Sequence, residues 1–232
     1  MKLGIMQPYL FPYIGYFQLI NAVDKFVIFD DVNYINKGWI NRNRILLNGQ
    51  EYMFTIPLEK VSQNRHINEI ELSPEVKWKG KLLKTIATAY KKAPLFKLGY
   101  PLIEGIINFE NRNLSIFISN SLEQICNYLD IKTQIIPSSL QYNTTQLKGQ
   151  NKILEICHSE KATVYINPVG GLEIYQKEVF EKAHIKLMFL KSKPINYDQF
   201  RNEFLPFLSI IDLLMFNSKD KISGYLKEFE FV

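Results

Sequence analysis

Short apolar runs separated by polar breaks mark the start of the chain. Residues 2–6 are mostly apolar and stop at Gln7-Pro8, so they predict a buried strand. Residues 13–22 carry apolar side chains at helical spacing, and residues 25–29 are β-branched and aromatic up to Asp30-Asp31. Strand, helix and strand in such close succession predict a βαβ unit with parallel strands.

A β-hairpin is predicted next. Residues 45–47 and 52–57 flank Asn48-Gly49, and an Asn-Gly pair supplies the positive φ that a type I′ turn requires. Residues 67–72 alternate imperfectly between apolar and polar side chains, and they predict a weak strand.

The middle of the chain has a mainly helical pattern. Ser73-Pro74-Glu75 predicts a helix start, with Ser73 as the cap and Pro74 in the first turn. Apolar residues then recur at helical spacing until Pro94, and we expect them in the core: Trp78, Leu82, Ile86 and Tyr90. Further helices are predicted at residues 101–109 and 113–129.

Strands and helices alternate again in the last third. Strands are predicted at residues 132–136, 163–166 and 185–190, and helices at residues 151–159, 173–183 and 197–216, the last with a break near Pro206. This order predicts an α/β fold: a mostly parallel sheet with flanking helices, a β-hairpin and a mainly helical middle segment.

No internal repeat or linker divides the chain, so we expect one domain over residues 1–232. Its N-terminal α/β part covers residues 1–72, a helical part covers 73–130, and a C-terminal α/β part covers 131–232.

Composition narrows the functional classes. The chain has 232 residues, of which 47% are hydrophobic and 22% charged, and this excludes a disordered or coiled-coil protein. The net charge of +5 comes mostly from lysine, and we expect no nucleic-acid partner. No apolar run is long enough to span a membrane, and no signal peptide is predicted, so we expect a cytoplasmic protein without membrane insertion.

The two cysteines, Cys126 and Cys157, lie far apart without a Cys/His cluster. Neither a zinc site nor a disulfide framework is supported, and we expect Cys126 to be a small buried hydrophobe.

The standard catalytic motifs, such as a P-loop, G-x-S-x-G or H-E-x-x-H, are absent from the sequence. Three histidines are present, and His158 and His184 fall at helix ends, where capping or exposure explains them. His66 lies in a polar loop and is the one histidine whose surroundings suggest acid–base chemistry.

Polar residues follow the first two predicted strands. Ligands of open α/β sheets bind beyond the carboxyl ends of the strands, where Gln7, Tyr9 and the pair Asp30-Asp31 should meet. Gly15 and Tyr16 begin the intervening helix, whose N-terminus suits a phosphate. A single Asp after a strand usually forms a turn, but two adjacent carboxylates at this edge favour a site.

Residues 37–44 combine an indole, cations and amides. In an extended chain, Lys37, Trp39, Asn41 and Asn43 share one face, which can stack on a ring and hydrogen-bond its edges. If the segment turns, Arg42 can clamp an anion. The alternative is a hairpin strand that packs Trp39 into the core. We expect this segment, the acidic pair and the Gln7-Pro8 turn to line one pocket.

Two further features lie in the last third. Gly170-Gly171, between a strand and a helix, permits backbone approach to a ligand, although glycines here also simply form turns. Asp212 lies in an apolar helix and either faces water or, if buried, requires a partner, for which Lys37, Arg42 or an amine substrate are candidates. No metal site is predicted.

Four stretches resemble the WbqC-like protein family: QPYLFPYIGYFQLI (7–20), DDVNYINKGWINRNRI (30–45), KWKGKLLKTIATAYKKAP (77–94) and LSIIDLLMFN (208–217). They occur in family order and span almost the whole chain. Tyr9 departs from the family pattern, in which we expect Asn.

The resemblance implies an enzyme of surface-polysaccharide, O-antigen-type biosynthesis. It implies that the substrate is a nucleotide-linked amino sugar and that the reaction is acyl or aminoacyl transfer, such as glycyl transfer, to the sugar amine. Asp30, Asp31, His66 or Asp212 would then supply the catalytic groups. The cofactor is unknown, and an activated acyl or aminoacyl donor is expected. Whether magnesium binds at Asp30-Asp31, and whether the protein forms a homo-oligomer, are left open by the sequence.

Two alternatives remain. The first is a nucleotide-sugar-binding protein without catalysis, because no standard catalytic constellation is present. The second is a nucleotidylyltransferase-like enzyme, since Tyr13-Ile14-Gly15-Tyr16 occupies the place of an HxGH element. The missing histidines argue against adenylyl transfer.

Overall fold

A computed structural model of the protein describes residues 1–200 and 203–232. The strands of this part of the chain are β1 (Lys2–Met6), β2 (Lys25–Ile28), β3 (Arg42–Leu47), β4 (Gln50–Thr55), β5 (Leu58–Glu59), β6 (Glu71–Leu72), β7 (Gln134–Ile136), β8 (Val164–Pro168), β9 (Lys186–Ser192) and β10 (Phe229–Phe231). The α-helices are α1 (Ile14–Asn21), α2 (Lys77–Tyr90), α3 (Phe96–Asn108), α4 (Leu114–Tyr128), α5 (Gly149–Ser159), α6 (Lys177–Lys182), α7 (Ile210–Phe216) and α8 (Lys219–Tyr225).

The central sheet has six strands in the order β10-β9-β8-β1-β2-β7. All neighbours pair in parallel except β10, which is antiparallel to β9. β1, α1 and β2 form the predicted βαβ unit, with Leu3 opposite Lys25. The predicted α/β class and mostly parallel sheet are therefore confirmed.

Alternate residues of the strands face opposite sides of this sheet. Leu3, Ile5 and Val27 pack in a core with residues of α5 and α6, whereas Phe26 and Ile28 pack in a larger core with α1, the middle helices and α7. Helices thus cover both faces, as parallel sheets require.

β3 and β4 form the predicted hairpin outside the central sheet. Asn48 and Gly49 have φ values of 54° and 77°, so both turn residues are left-handed, as a type I′ turn requires. The positive φ explains why this dipeptide predicted the hairpin correctly.

Several predicted boundaries are wrong. Residues 67–72 form a 3₁₀ turn followed by the two-residue strand β6, rather than one strand. Ser73 does not cap α2, which begins at Lys77; its hydroxyl instead accepts a hydrogen bond from the Glu75 N–H at 3.3 Å. The predicted helix at 173–183 is only the short α6.

The predicted helix at residues 197–216 is also wrong in its first half. Ser209 caps a shorter helix, α7, and residues 197–200 and 203–208 are not helical; residues 201–202 lie outside the described part of the chain. α8 and β10 were not predicted. Within the described ranges, no helix has the length and apolar character that would let it cross a bilayer.

Candidate functional site

The loop between β1 and α1 is held in an unusual conformation. Phe11 in this loop has φ +44°, and its carbonyl oxygen accepts hydrogen bonds from Asn43 Nδ2 at 2.9 Å and from Ser209 Oγ at 2.7 Å. Asn43 Nδ2 also donates to the carbonyl of Leu10 at 3.0 Å. Two distant side chains therefore fix the backbone of this loop, which we call the β1–α1 loop (residues 7–13).

Backbone hydrogen bonds reinforce this convergence. The N–H of Leu10 donates to the carbonyl of Ile40 at 3.2 Å, and the N–H of Ile210 donates to the carbonyl of Pro12 at 2.9 Å. Ser209 N–H donates to Arg44 O at 2.8 Å, which joins β3 to the start of α7. Three separate stretches of the sequence thus meet at the carboxyl edge of the sheet.

Two cavities adjoin the β1–α1 loop. The large cavity, about 340 Å³, lies between the start of α1 and the chain that leaves β9; the described residues that line it are Tyr13, Ile14, Ser192, Lys193, Pro194, Ile195, Asn196, Tyr197, Phe204, Pro206, Phe207, Leu208 and Leu213. The small cavity, about 140 Å³, is lined by Tyr9, Pro12, Tyr13, Trp39, Asn43, Arg44 and Phe207. Tyr13 and Phe207 belong to both linings, and their rings meet edge to face with centroids 6.1 Å apart.

Tyr13 covers the start of α1. A Cβ atom on Gly15 would lie 2.4 Å from the Tyr13 ring, so the absence of a side chain at Gly15 lets the ring lie against the helix. No side chain caps this helix start. Gly15 lies in the first turn of α1, as the sequence predicted, but it lines neither cavity; Tyr13, which lies over it, lines both.

Tyr16 is part of the core rather than of a cavity lining. Its hydroxyl donates to the carbonyl of Gln7 at 2.8 Å, and its ring packs against Phe26 and Tyr9 at centroid distances of 5.5 and 5.7 Å. Burial raises the pKa of Tyr16 well above its usual value. Tyr16 thereby fixes the turn at Gln7 and supports Tyr9, which lines the small cavity.

Trp39 lies on the wall of the small cavity with 37% of its surface exposed. The guanidinium carbons of Arg44 and Arg42 lie 5.0 and 5.9 Å from the centre of its ring. Arg44 also pairs with Glu51 at 2.8 Å, while its buried Nε has no hydrogen-bond partner among the described residues. The small cavity therefore offers an indole face beside a cation.

The other polar residues of this segment have internal partners. Asn41 accepts from the Tyr34 hydroxyl at 2.8 Å and donates to Ile56 O at 2.9 Å. Arg42 donates through Nε to the carbonyl of Gly38 at 3.0 Å and through Nη2 to the carbonyl of Lys37. Arg42 thus closes the turn that includes Lys37, whose φ is +60°, and Lys37 is exposed.

Asp30 is buried at the carboxyl end of β2 and lines neither cavity. Its carboxylate accepts from Ser115 Oγ at 2.6 Å, Ser138 Oγ at 2.8 Å and the Ser139 N–H at 3.1 Å. The carboxylate joins β2 to α4 and to the loop after β7.

Asp31 is buried as well and lines neither cavity. Its Oδ2 lies 2.7 Å from Lys152 Nζ, and Ser139 Oγ donates to its Oδ1. The structure therefore brings Tyr9, Trp39 and Asn43 together around the small cavity but keeps the acidic pair apart from them.

Asp212 lies behind the large cavity. It is fully buried, and it accepts hydrogen bonds from the hydroxyls of Tyr90 and Tyr197, both at 2.7 Å, and from Gln199 Nε2 at 2.8 Å. Burial raises its pKa, although the three hydrogen bonds oppose this shift. Asp212 therefore does not face solvent, and the partners found among the described residues are neutral donors rather than the predicted Lys37 or Arg42.

Tyr197 connects Asp212 to the large cavity, because it lines that cavity and donates to the carboxylate. Burial and the neighbouring Asp212 charge raise the pKa of Tyr197, which keeps its hydroxyl protonated. Of the three predicted catalytic aspartates, Asp212 is the one with a hydrogen-bond partner in a cavity wall.

The remaining predicted residues lie outside both cavity linings. His66 is half-buried before a 3₁₀ turn, where its N–H donates to Glu69 Oε2 at 2.9 Å. Gly171 packs against the side chain of Asn167, which a Cβ would meet at 2.3 Å, and Gly170 is exposed with open space around it.

The cavity linings are aromatic and weakly cationic. Arg44 and Lys193 are the charged residues among the described lining residues, and the phenols are Tyr9, Tyr13 and Tyr197. Within the described residues, no group of three or more His, Cys, Asp and Glu is placed to hold a metal. The arrangement can stack rings and attract an anion.

Sequence reasoning missed Lys193, Tyr197 and Phe207. The first two follow β9, so the rule that placed ligands beyond the strands' carboxyl ends would have selected them had it been applied to that strand. Phe207 lies in the segment that was predicted to be helical.

Comparison with known proteins agrees with the resemblance seen in the sequence. The model of the WbqC-like protein family matches residues 7–224. "Uncharacterized protein Rv1507c" from Mycobacterium tuberculosis (strain ATCC 25618 / H37Rv) is 28% identical over 228 residues, which cover 97% of this chain and 97% of the relative. No solved structure is significantly similar to the chain.

Proposed function

Since this chain belongs to the WbqC-like protein family, we propose that its two cavities bind a nucleotide-linked amino sugar. The proposed reaction is acyl or aminoacyl transfer, such as glycyl transfer, to the sugar amine, in the biosynthesis of a surface polysaccharide. The observation that carries the proposal is the convergence of residues 7–13, 39–44 and 207–213 around the paired cavities. Apart from Phe207, these residues lie in stretches on which the family resemblance rests.

The chemistry of the two cavities supports a ligand with rings and an anionic link. One ring of the nucleotide sugar stacks on Trp39, and the other lies between the aromatic walls of the large cavity. The diphosphate lies between them, near Arg44 and Lys193 and the uncapped start of α1. This placement requires Tyr13 to turn away from Gly15.

In the proposed reaction, Tyr197 and Asp212 remove a proton from the sugar ammonium. Tyr197 takes the proton on its hydroxyl oxygen as its own proton passes to Asp212 Oδ2, 2.7 Å away. The free amine then attacks the carbonyl carbon of an activated acyl donor. A C–N bond forms, the bond to the leaving group breaks, and the second amine proton leaves with that group. The raised pKa of Asp212 suits a proton acceptor at neutral pH.

This proposal assigns positioning roles to the other predicted residues. Asp30 and Asp31 hold the end of β2 through their buried partners, and Asn41, Arg42 and Lys37 shape the turn beside Trp39. Asn43 fixes the β1–α1 loop and contributes to the wall of the small cavity.

The test is a mass measurement on the sugar. Purified protein is incubated with an amino-sugar nucleotide and, in separate reactions, acyl-CoA, an aminoacyl carrier, or ATP with a carboxylic acid or glycine. We expect a gain of one acyl group in one combination. Tyr197→Phe should lower the rate by roughly 10²- to 10⁴-fold with substrate affinity retained, whereas Tyr52→Phe, at an exposed tyrosine on β4, should leave the rate unchanged. Intact sugar in every combination contradicts the proposed transfer.

One observation favours a second candidate, a nucleotide-sugar-binding protein without catalysis. No carboxylate, imidazole or thiol is present among the described residues that line the two cavities. Calorimetric titration with the same nucleotide sugars separates the two candidates. Saturable binding without a mass gain in any donor combination supports the binding protein. If the protein shows no binding and no mass gain, both candidates are rejected.

A further inference from the structure

One exposed face of α2 is a straight row of lysines. Lys77, Lys81, Lys84 and Lys91 follow each other at helical spacing, and Lys92 lies beside the last. All five are exposed, whereas Leu82, Ile86 and Tyr90 form the buried face of the same helix. We call these five residues the lysine stripe; it runs about 20 Å along the helix at 1.5 Å per residue.

The segment around α2 accounts for all of the excess positive charge of the protein. Residues 76–103 contain seven lysines and no acidic residue. Removing those seven from the 28 Lys and Arg of the chain leaves 21, against 23 Asp and Glu, so the remainder is slightly acidic. The net charge of +5 is therefore not spread evenly over the surface.

Among the described residues, no ion pair neutralises the stripe. None of the ion pairs between described residues involves one of its five lysines. Lys79 points elsewhere, since its Nζ donates to the carbonyl of Phe109 at 3.1 Å. A solvated charged face usually carries both signs along the helix, and this one carries only positive charge.

Exposed apolar residues lie close to the stripe, Val76 and Leu98 along the sequence and Phe200 in space. Val76, at the start of α2, is 68% exposed, and Leu98, at the start of α3, is 63% exposed. Phe200 lies with Thr88, Lys91 and Lys92 around a shallow groove beside the hairpin turn. Lysines with neighbouring exposed apolar side chains match the interface of a lipid bilayer, where phosphate groups lie next to hydrocarbon.

We infer that the lysine stripe docks the protein on an anionic lipid surface, with α2 lying along the plane of the headgroups. This inference is independent of the proposed function of the two cavities. A nucleic-acid partner fits less well, because the segment 76–103 contains no arginine. Its one tryptophan, Trp78, is half-buried and packs against Phe117, so the indole is not free for base stacking.

Vesicle co-sedimentation tests the inference. The full chain is mixed with phosphatidylcholine vesicles, either pure or with about 30% phosphatidylglycerol, at low and high salt. We expect binding to the anionic vesicles only, weakening as salt rises. Replacing Lys77, Lys81, Lys84 and Lys91 by Gln should lower the partition coefficient by at least about tenfold.

The matched control replaces four exposed lysines elsewhere by Gln, namely Lys148, Lys161, Lys182 and Lys227, so that the net charge changes equally. Circular dichroism and thermal unfolding show that both variants fold. The inference is overturned if the protein does not bind anionic vesicles or binds neutral vesicles equally well. It is also overturned if the stripe variant and the control variant lose the same amount of binding. Binding of polyuridylate RNA without vesicle binding also overturns it, in favour of a nucleic-acid partner.

Discussion

Lys152 Nζ lies 2.7 Å from Asp31 Oδ2 in the interior of the protein, where the two side chains are 5% and 0% exposed. The same ammonium donates to the carbonyl of Asp31 at 2.9 Å and lies 5.5 Å from the centre of the Phe29 ring. This buried pair attaches α5 to the chain at the end of β2.

Breaking this pair should be costly. Lys152→Met leaves the Asp31 carboxylate buried with only Ser139 as a side-chain donor, and we expect it to lower the free energy of unfolding by about 3–5 kcal/mol. Urea denaturation of the wild-type and variant proteins measures this change.

Lys25→Met is the matched control, since Lys25 pairs with Glu160 at 2.6 Å where its side chain is 30% exposed. Solvent screens that pair, and we expect a loss of no more than about 1 kcal/mol. Equal losses in the two lysine variants would contradict the buried role of Lys152.

The sequence predicts the sheet well because its strands have short-range signatures. The apolar run of β1 ends at Gln7-Pro8, and the Asn48-Gly49 turn specifies its own backbone conformation. The prediction fails in the segment before α7 for the opposite reason: Phe204, Pro206, Phe207 and Leu208 line the large cavity, and Phe207 packs against Tyr13, instead of continuing a helix. Tertiary contacts determine the conformation of that segment, and the spacing of apolar residues in the sequence does not reveal those contacts.

The candidate site is only partly readable from the sequence. Tyr9 and Trp39 both line the small cavity. The carboxyl-edge rule points to Tyr9, which closely follows β1, but not to Trp39, which lies well beyond the end of β2. The buried environment of Asp30 and Asp31 could not be predicted from the sequence. Their partners Ser115, Ser139 and Lys152 come from elements 80 or more residues away. Polar residues after a strand give no indication of which distant donors will bury them.

The β1–α1 loop should depend on Asn43. Asn43→Ala removes the amide that donates to the carbonyls of Leu10 and Phe11. Ser209 Oγ still donates to Phe11, so the Leu10 carbonyl is the one that loses its side-chain donor, and we expect the free energy of unfolding to fall by about 1–3 kcal/mol. Urea denaturation checks this, with Asn151→Ala at an exposed position as the control, for which we expect a change within about 0.5 kcal/mol. A loss at Asn43 no greater than at Asn151 would show that Ser209 and the backbone hydrogen bonds hold the loop alone.

The cysteines should be inert in the folded protein. Burial raises the pKa of both Cys126 and Cys157 to about 12, so the reactive thiolate is scarce at pH 8. We expect no alkylation by iodoacetamide in native buffer and two alkylated cysteines after denaturation in urea, as read by mass spectrometry. Rapid labelling of either thiol in the native protein would contradict its burial.

Asp212 should make stability depend on pH. Because its pKa in the folded protein is raised above the usual 3.8, the folded state binds more protons than the unfolded state between these two values. The contribution of Asp212 to the free energy of unfolding should therefore fall as pH rises from about 4, and it should level off above the folded pKa.

Urea denaturation of the wild-type protein and Asp212→Asn across this pH range measures the effect. The variant lacks the titrating group, so the wild-type advantage over it should shrink with rising pH. An advantage that grows with pH would mean that the hydrogen bonds from Tyr90, Tyr197 and Gln199 outweigh burial and lower the pKa.

Tryptophan fluorescence should report the ligand of the small cavity. The chain has two tryptophans: Trp39 lies on the cavity wall, and Trp78 packs against Phe117 with ring centroids 6.1 Å apart. A nucleotide sugar that stacks on Trp39 should quench its emission saturably. Trp39→Phe should abolish the quenching and weaken binding by roughly 5- to 10-fold, while Trp78→Phe should leave both unchanged. Quenching that persists in Trp39→Phe would place the ligand away from this wall and so separate the nucleotide-sugar site from the small cavity.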